Sequence, residues 1–297
     1  MQSQRRWENP VSRLLCTHRK GLKAPDAAAQ LAIELRAQIS NPTGPADLQR
    51  ACAAVNTRVE YKSLRNDAIL QETEAGFLAI INSSATKGRQ RFSLAHEIGH
   101  LRLFETTRLT RAFAHKSESA KEHTSDEVEE LCDHFASELL MPLEEWRREI
   151  FRRGISIGSL KVLSSKYNVS LPAAAKRAID TGIWRCAFVL WDVVNDGDKL
   201  VELKPNQFWS NIEFGPARWP NKILNDPRFR EAGSPLLAAE QTEATIGEIK
   251  VPFDGLKERY LAESRAVWGR SPQVATVILA ERQGRRILLM SQGDSKK

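Results

Sequence analysis

The chain has 297 residues, enough for about two domains. With 41% apolar and 27% charged residues, it is neither a collagen, a coiled coil nor a disordered polymer. Lys and Arg exceed Asp and Glu by 7, which admits contact with nucleic acid or an acidic partner without requiring either.

The first 20 residues carry scattered charges and lack the apolar run of a secretory signal. The most apolar stretch, Ile183 to Val194, is interrupted by Arg185 and Asp192 and is too short to cross a bilayer. A cytoplasmic protein with no membrane partner is expected. Cys16, Cys52, Cys132 and Cys186 are far apart and form no C-x-x-C pair, which argues against both a thiolate zinc site and a disulfide framework.

Residues 1–24 read as an N-terminal arm. Helical apolar spacing begins at Ala27 and runs to Ile39, with Asp26 available as an N-cap. The Asn41-Pro-Thr-Gly-Pro45 run stops it, and Ala46 to Val55 predicts a second helix. Arg58 to Leu64 alternates like a half-buried strand, and Gly76 to Ile81 is a more continuously apolar one. The chain between these strands, and again from Asn82 to Arg91, is polar and reads as loop.

Phe92 to Phe104 predicts a helix despite Gly99, and Asp126 to Leu140 predicts another that stops at Met141-Pro142. The polar stretch from Glu105 to Ser125 between them has the character of a long surface loop. Two or three more helices are expected up to about Asp180. The cluster Arg147, Arg148, Arg152 and Arg153 fits a solvated helix face better than a phosphate contact. Ile157 to Ile179 resembles a helix-turn-helix, but a packed helical hairpin is the simpler reading. From Gly182 the composition changes. Strands are expected at Arg185 to Asp192, Lys199 to Leu203, Val274 to Glu281 and Arg285 to Met290, in a second domain over 182–297.

His96-Glu97-Ile98-Gly99-His100 is an H-E-x-x-H motif. On a helix, residues four apart share a face, so both imidazoles can reach one ion. Zinc suits neutral imidazoles and a tetrahedral shell with one open position. Glu97, beside them, is placed to take a proton from bound water and pass it to a leaving amine. A third histidine at the usual downstream position is ruled out, because Leu103 and Thr106 stand where the longer motif needs Gly and His.

Glu129 is the best third ligand, with His115, His123 and His134 as weaker rivals. Glu129 and Asp133 are one helical turn apart, so Asp133 can hold a ligating histidine through its other ring nitrogen. Tyr61, Tyr167, His123 and His134 are candidates for stabilising an oxyanion.

Two long segments, Arg89 to Leu101 and Glu129 to Pro142, resemble the ImmA/IrrE metallopeptidases. The second closely fits that family's E-x-x-[AC]-[ND]-x-F-A-x-x-L-L-M-P pattern. The resemblance covers roughly residues 25–180. It implies zinc on His96, His100 and Glu129, a catalytic Glu97, and cleavage of a helix-turn-helix repressor that switches on stress-response or mobile-element genes.

No repressor-type DNA-binding domain precedes the motif, which favours a substrate supplied in trans. The expected fold is α+β: a helical, zincin-like peptidase domain with a small sheet over 25–181, then a mixed α/β or mostly β accessory domain. Two other readings stay open: a metal-dependent hydrolase of another kind, and a non-catalytic, metal-containing regulator that binds a repressor or DNA.

Overall fold

The computed structural model describes residues 7–39, 44–107, 126–196, 199–211, 238–239, 244–250, 259–268 and 272–279. The described residues to Glu145, with Ser165–Ser170, pack as one unit. Trp146–Ser164 and the described residues from Leu171 onward pack as a second.

The first unit begins with a helix inside the expected N-terminal arm, α1 (Pro10–His18). Asn9 caps it by accepting the Val11 N–H, and proline stands in its first turn, where its missing N–H costs nothing. Helix α2 (Ala24–Ile39) starts earlier than its apolar spacing suggested. Asp26 is therefore not its N-cap but a first-turn carboxylate that complements the helix dipole. Asp47 caps α3 (Leu48–Ala54), with its carboxylate accepting from Gln49 N and Arg50 N.

Three strands follow: β1 (Thr57–Lys62), β2 (Ala68–Thr73) and β3 (Gly76–Asn82). Their order is β1-β3-β2, with β1 parallel and β2 antiparallel to the central strand. Strand β2 lies where a polar loop was expected. Its ladder to β3 closes through a tight turn at Gly76, whose φ of 122° suits glycine. A Cβ there would also stand 2.5 Å from the Asn56 carbonyl oxygen. Central β3 buries Ala79, Ile80 and Ile81, which explains its continuous apolar run.

Helix α4 (Lys87–Thr107) takes in five residues read as loop, 87–91. Their side chains are polar, yet Gln90 is buried and donates to the carbonyls of Ser83 and Ala85, tying the helix start to the chain leaving β3. Helix α5 (Asp126–Leu140) packs along α4 and α2 and fully buries Val128, Leu131, Phe135 and Leu139. Gly99 allows the α4–α5 approach. A Cβ on it would lie 3.1 Å from Phe135 Cδ1 and 3.4 Å from Cys132 Cα. Arg36 on α2 donates to the Leu139 carbonyl at 2.7 Å, so a cation satisfies the C-terminal end of α5.

Next come α6 (Leu143–Arg153), α7 (Ile157–Tyr167) and α8 (Leu171–Asp180). On α6, Arg152 and Arg153 both pair with Glu149, and Arg148 is exposed, as on an ordinary solvated face. The segment that resembled a helix-turn-helix holds the two helices α7 and α8. Asn168, at φ 54°, turns the chain between α7 and α8, and both helices bury apolar faces, including Leu160, Leu163, Ala174 and Ala178.

The second unit holds an antiparallel sheet of order β5-β4-β8-β7-β6. Its strands are β4 (Cys186–Asp196), β5 (Lys199–Ser210), β6 (Ala244–Lys250), β7 (Arg259–Trp268) and β8 (Pro272–Leu279). Alternate residues of β4 (Ala187, Val189 and Trp191) enter its core, where they meet Tyr260, Ala262 and Ile278. Strands β6 and β7 were not foreseen, and the strand expected at Arg285 to Met290 lies outside the described residues. Together the two parts make an α+β chain, helical with a small sheet first and β-rich afterwards. No helix among the described residues is long and apolar enough to cross a membrane.

Candidate metal centre

The centre forms where α4 and α5 cross. Positions 96 and 100 are one turn apart on α4, and their rings meet edge to face with centroids 4.9 Å apart. Their Nε2 atoms are 3.2 Å from each other. From α5, Glu129 places Oε2 3.1 Å from His96 Nε2 and Oε1 3.6 Å from His100 Nε2. The α4 histidines and the α5 carboxylate foreseen as ligands are therefore together, 33 residues apart in sequence.

Whether these donors fit a metal can be judged from their spacing. Ligands about 2.0–2.2 Å from a tetrahedral zinc are about 3.3–3.6 Å apart. The observed separations of 3.1, 3.2 and 3.6 Å lie close to that range. Without a cation, each close pair needs a shared proton; one divalent ion satisfies all three at once.

Asp133, the next turn of α5, lies with Oδ1 2.9 Å from His96 Nδ1. A hydrogen bond from Nδ1–H to this carboxylate leaves the Nε2 lone pair facing Glu129 and His100. Burial alone would depress the His96 pKa, but the Asp133 and Glu129 carboxylates outweigh it and lift it from 6.5 to about 9. Arg89, one turn before Phe92, binds Asp67 at the start of β2, and its charge also reaches Asp133. Asp133→Asn keeps an acceptor but removes the charge that orients His96. It should weaken metal affinity by about 10-fold, the lower end of what such orienting groups contribute. Chelator competition measures this directly.

Glu97 is 4% exposed, and its Oε2 has no hydrogen-bond partner among the described residues. A buried carboxylate oxygen left unpaired is costly, and a catalytic role is one of the reasons for which such an atom is kept. His100 is 3% exposed and stacks on Phe104, with ring centroids 5.7 Å apart. Both residues are thus held rigidly in the wall of the first unit.

One neighbour was missed. Cys132, fully buried on α5, offers its Sγ within 4.8 Å of the His96 and His100 donor nitrogens. The lack of a C-x-x-C pair removed it from consideration, since spacing in sequence says nothing of a thiol brought in by helix packing. Its place one turn after Glu129 was the available signal. All four cysteines are free thiols. Among the other candidates, His115 and His123 lie outside the described residues, and His134 is exposed on α5. Tyr61 is exposed on β1, whereas Tyr167 is fully buried.

Residues 52–178 match the family model described as the IrrE N-terminal-like domain of the M78 peptidases. A Mycobacterium tuberculosis transcriptional regulator of solved structure shares the fold, with a TM-score of 0.54 and 13% identity over 95% of this chain and 85% of that one. No curated protein matches the chain.

Proposed function

We propose, taking residues 52–178 as an IrrE N-terminal-like domain, that this protein is a zinc-dependent endopeptidase that cleaves a helix-turn-helix repressor supplied in trans. The observation that carries the reading is the three-donor cluster of His96, His100 and Glu129, with the unpaired Oε2 of Glu97 adjacent in sequence. Zinc held by His96, His100 and Glu129 supplies a Lewis acid and a water acidified toward neutral pH.

The remaining chemistry belongs to the chain. Glu97 Oε2 accepts the proton released by the attacking water and returns it to the departing amine nitrogen. His96 is held in one tautomer by Asp133, so its Nε2 faces inward throughout. Burial of His100 and Glu97 keeps bulk water from competing at that end of the site.

The family resemblance supports a repressor substrate, and the structural neighbour is itself described as a transcriptional regulator. Cleavage would release stress-response or mobile-element genes. We assign the chemistry to residues 25–181, and to 182–297 the role of sensing a signal or holding the substrate.

Cys132 favours a second reading. If its thiolate fills the open position beside two histidines and a glutamate, the site is closed and structural, as in a non-catalytic regulator. Incubating the zinc-loaded protein with helix-turn-helix repressors encoded near its own gene separates the two. Cleavage at one position, abolished by a chelator and restored by zinc, is expected. Intact repressors together with tight binding would favour the regulator.

A further inference from the structure

Helix α1 precedes the matched segment 52–178, yet it bridges both helices that carry the metal donors. Val11 and Leu15 are fully buried, and α1 packs on α4 and α2. Its N-terminal end is held by a single carboxylate from α5. Glu127 Oε1 accepts the Glu8 N–H at 3.2 Å, while Oε2 accepts the Asn9 N–H at 3.0 Å and the Ser12 hydroxyl at 2.9 Å. Ser12 is itself fully buried, and Glu127 is half-buried.

Glu127 stands two residues before Glu129, in the first turn of α5. First turns fray because their N–H groups have no partners within the helix. Metal sites tolerate donor displacements of only about 0.2 Å. A carboxylate anchored in α5 that accepts the N–H groups of Glu8 and Asn9, just before α1, and the Ser12 hydroxyl within it fixes that turn against the body that carries His96 and His100. We propose that α1, gripped by Glu127, is a positioning element that holds Glu129 at bonding distance from the two histidines. This rests on the metal-site reading above.

The test is the zinc dissociation constant of the full chain, measured by competition with a chromogenic chelator and accompanied by the visible spectrum of the cobalt-substituted protein. Glu127→Ala should weaken zinc binding by about 10-fold, as loss of an orienting partner does, and should shift the cobalt bands away from those of the wild-type protein. Glu127→Gln keeps an acceptor oxygen for Asn9 and Ser12 and should restore most of the affinity. Ser12→Ala removes one of the three bonds and should fall between; it carries the test if Glu127→Ala does not fold.

Wild-type affinity in Glu127→Ala, or in Ser12→Ala if only that variant folds, overturns the role of α1 and leaves the metal site standing. Equal loss in Glu127→Ala and Glu127→Gln overturns it too, since charge rather than hydrogen bonding would then be the cause. A wild-type chain that binds no zinc removes the metal-site reading itself.

Discussion

Glu97→Gln will keep its zinc and lose its activity, with cleavage falling by about 10²–10⁴-fold, the contribution of a well-placed general base. The side chain is 4% exposed and amide is isosteric with carboxylate, so neither packing nor the positions of His96 and His100 should change. What changes is the basic oxygen. Oε2 has no hydrogen-bond partner among the described residues, so none of them competes for the proton it would accept. An amide in its place cannot take that proton at any working pH. Metal content and cleavage must be measured on the same preparation. A variant that retained activity would show that the proton goes elsewhere.

His100→Ala should lose both properties together, with no zinc detected after purification and no cleavage. Its Nε2 is 3.2 Å from His96 Nε2 and 3.6 Å from Glu129 Oε1, so its removal leaves two of three donors. Two donors make an open, weak site from which ordinary handling strips the ion. Because His100 is 3% exposed and stacks on Phe104, the truncation also leaves a cavity of the kind that destabilises by about 2–5 kcal/mol when a large buried side chain becomes Ala. Thermal unfolding must therefore accompany the metal assay. A folded variant with full zinc occupancy would remove His100 from the ligand set.

Much of the site was legible because its signals are local. His96 and His100 share a helix face by spacing alone, and the apolar residues around them mark that helix as buried. The α5 donors were legible through the one-turn relation of Glu129 and Asp133. What spacing could not supply was the crossing of α4 and α5, which also brings Cys132 to the histidines and which Gly99 allows.

The elements that were missed share one property: their stabilisation is tertiary. Helix α1 has nine residues with Arg and Thr among its apolar ones, and it depends on Asn9 and on a carboxylate 115 residues or more away in sequence. The first turn of α4 is polar because Gln90 turns inward to backbone carbonyls rather than to apolar neighbours. Strand β7 carries Glu263 and Arg265, charges that interrupt its apolar pattern; yet Glu263 is half-buried and accepts the Ile157 N–H at 2.9 Å. Burial raises the pKa of that carboxyl, a cost no residue pattern displays.

The central claim is that His96, His100 and Glu129 form one metal site. The direct test is elemental analysis of the wild-type protein and of Glu129→Ala, both purified without chelator. About one zinc per wild-type chain, lost in the variant, is the result predicted for a catalytic site with three protein ligands. Full zinc occupancy in Glu129→Ala would contradict it and point to Cys132 as the third donor, while a metal-free wild type would contradict the enzyme reading altogether.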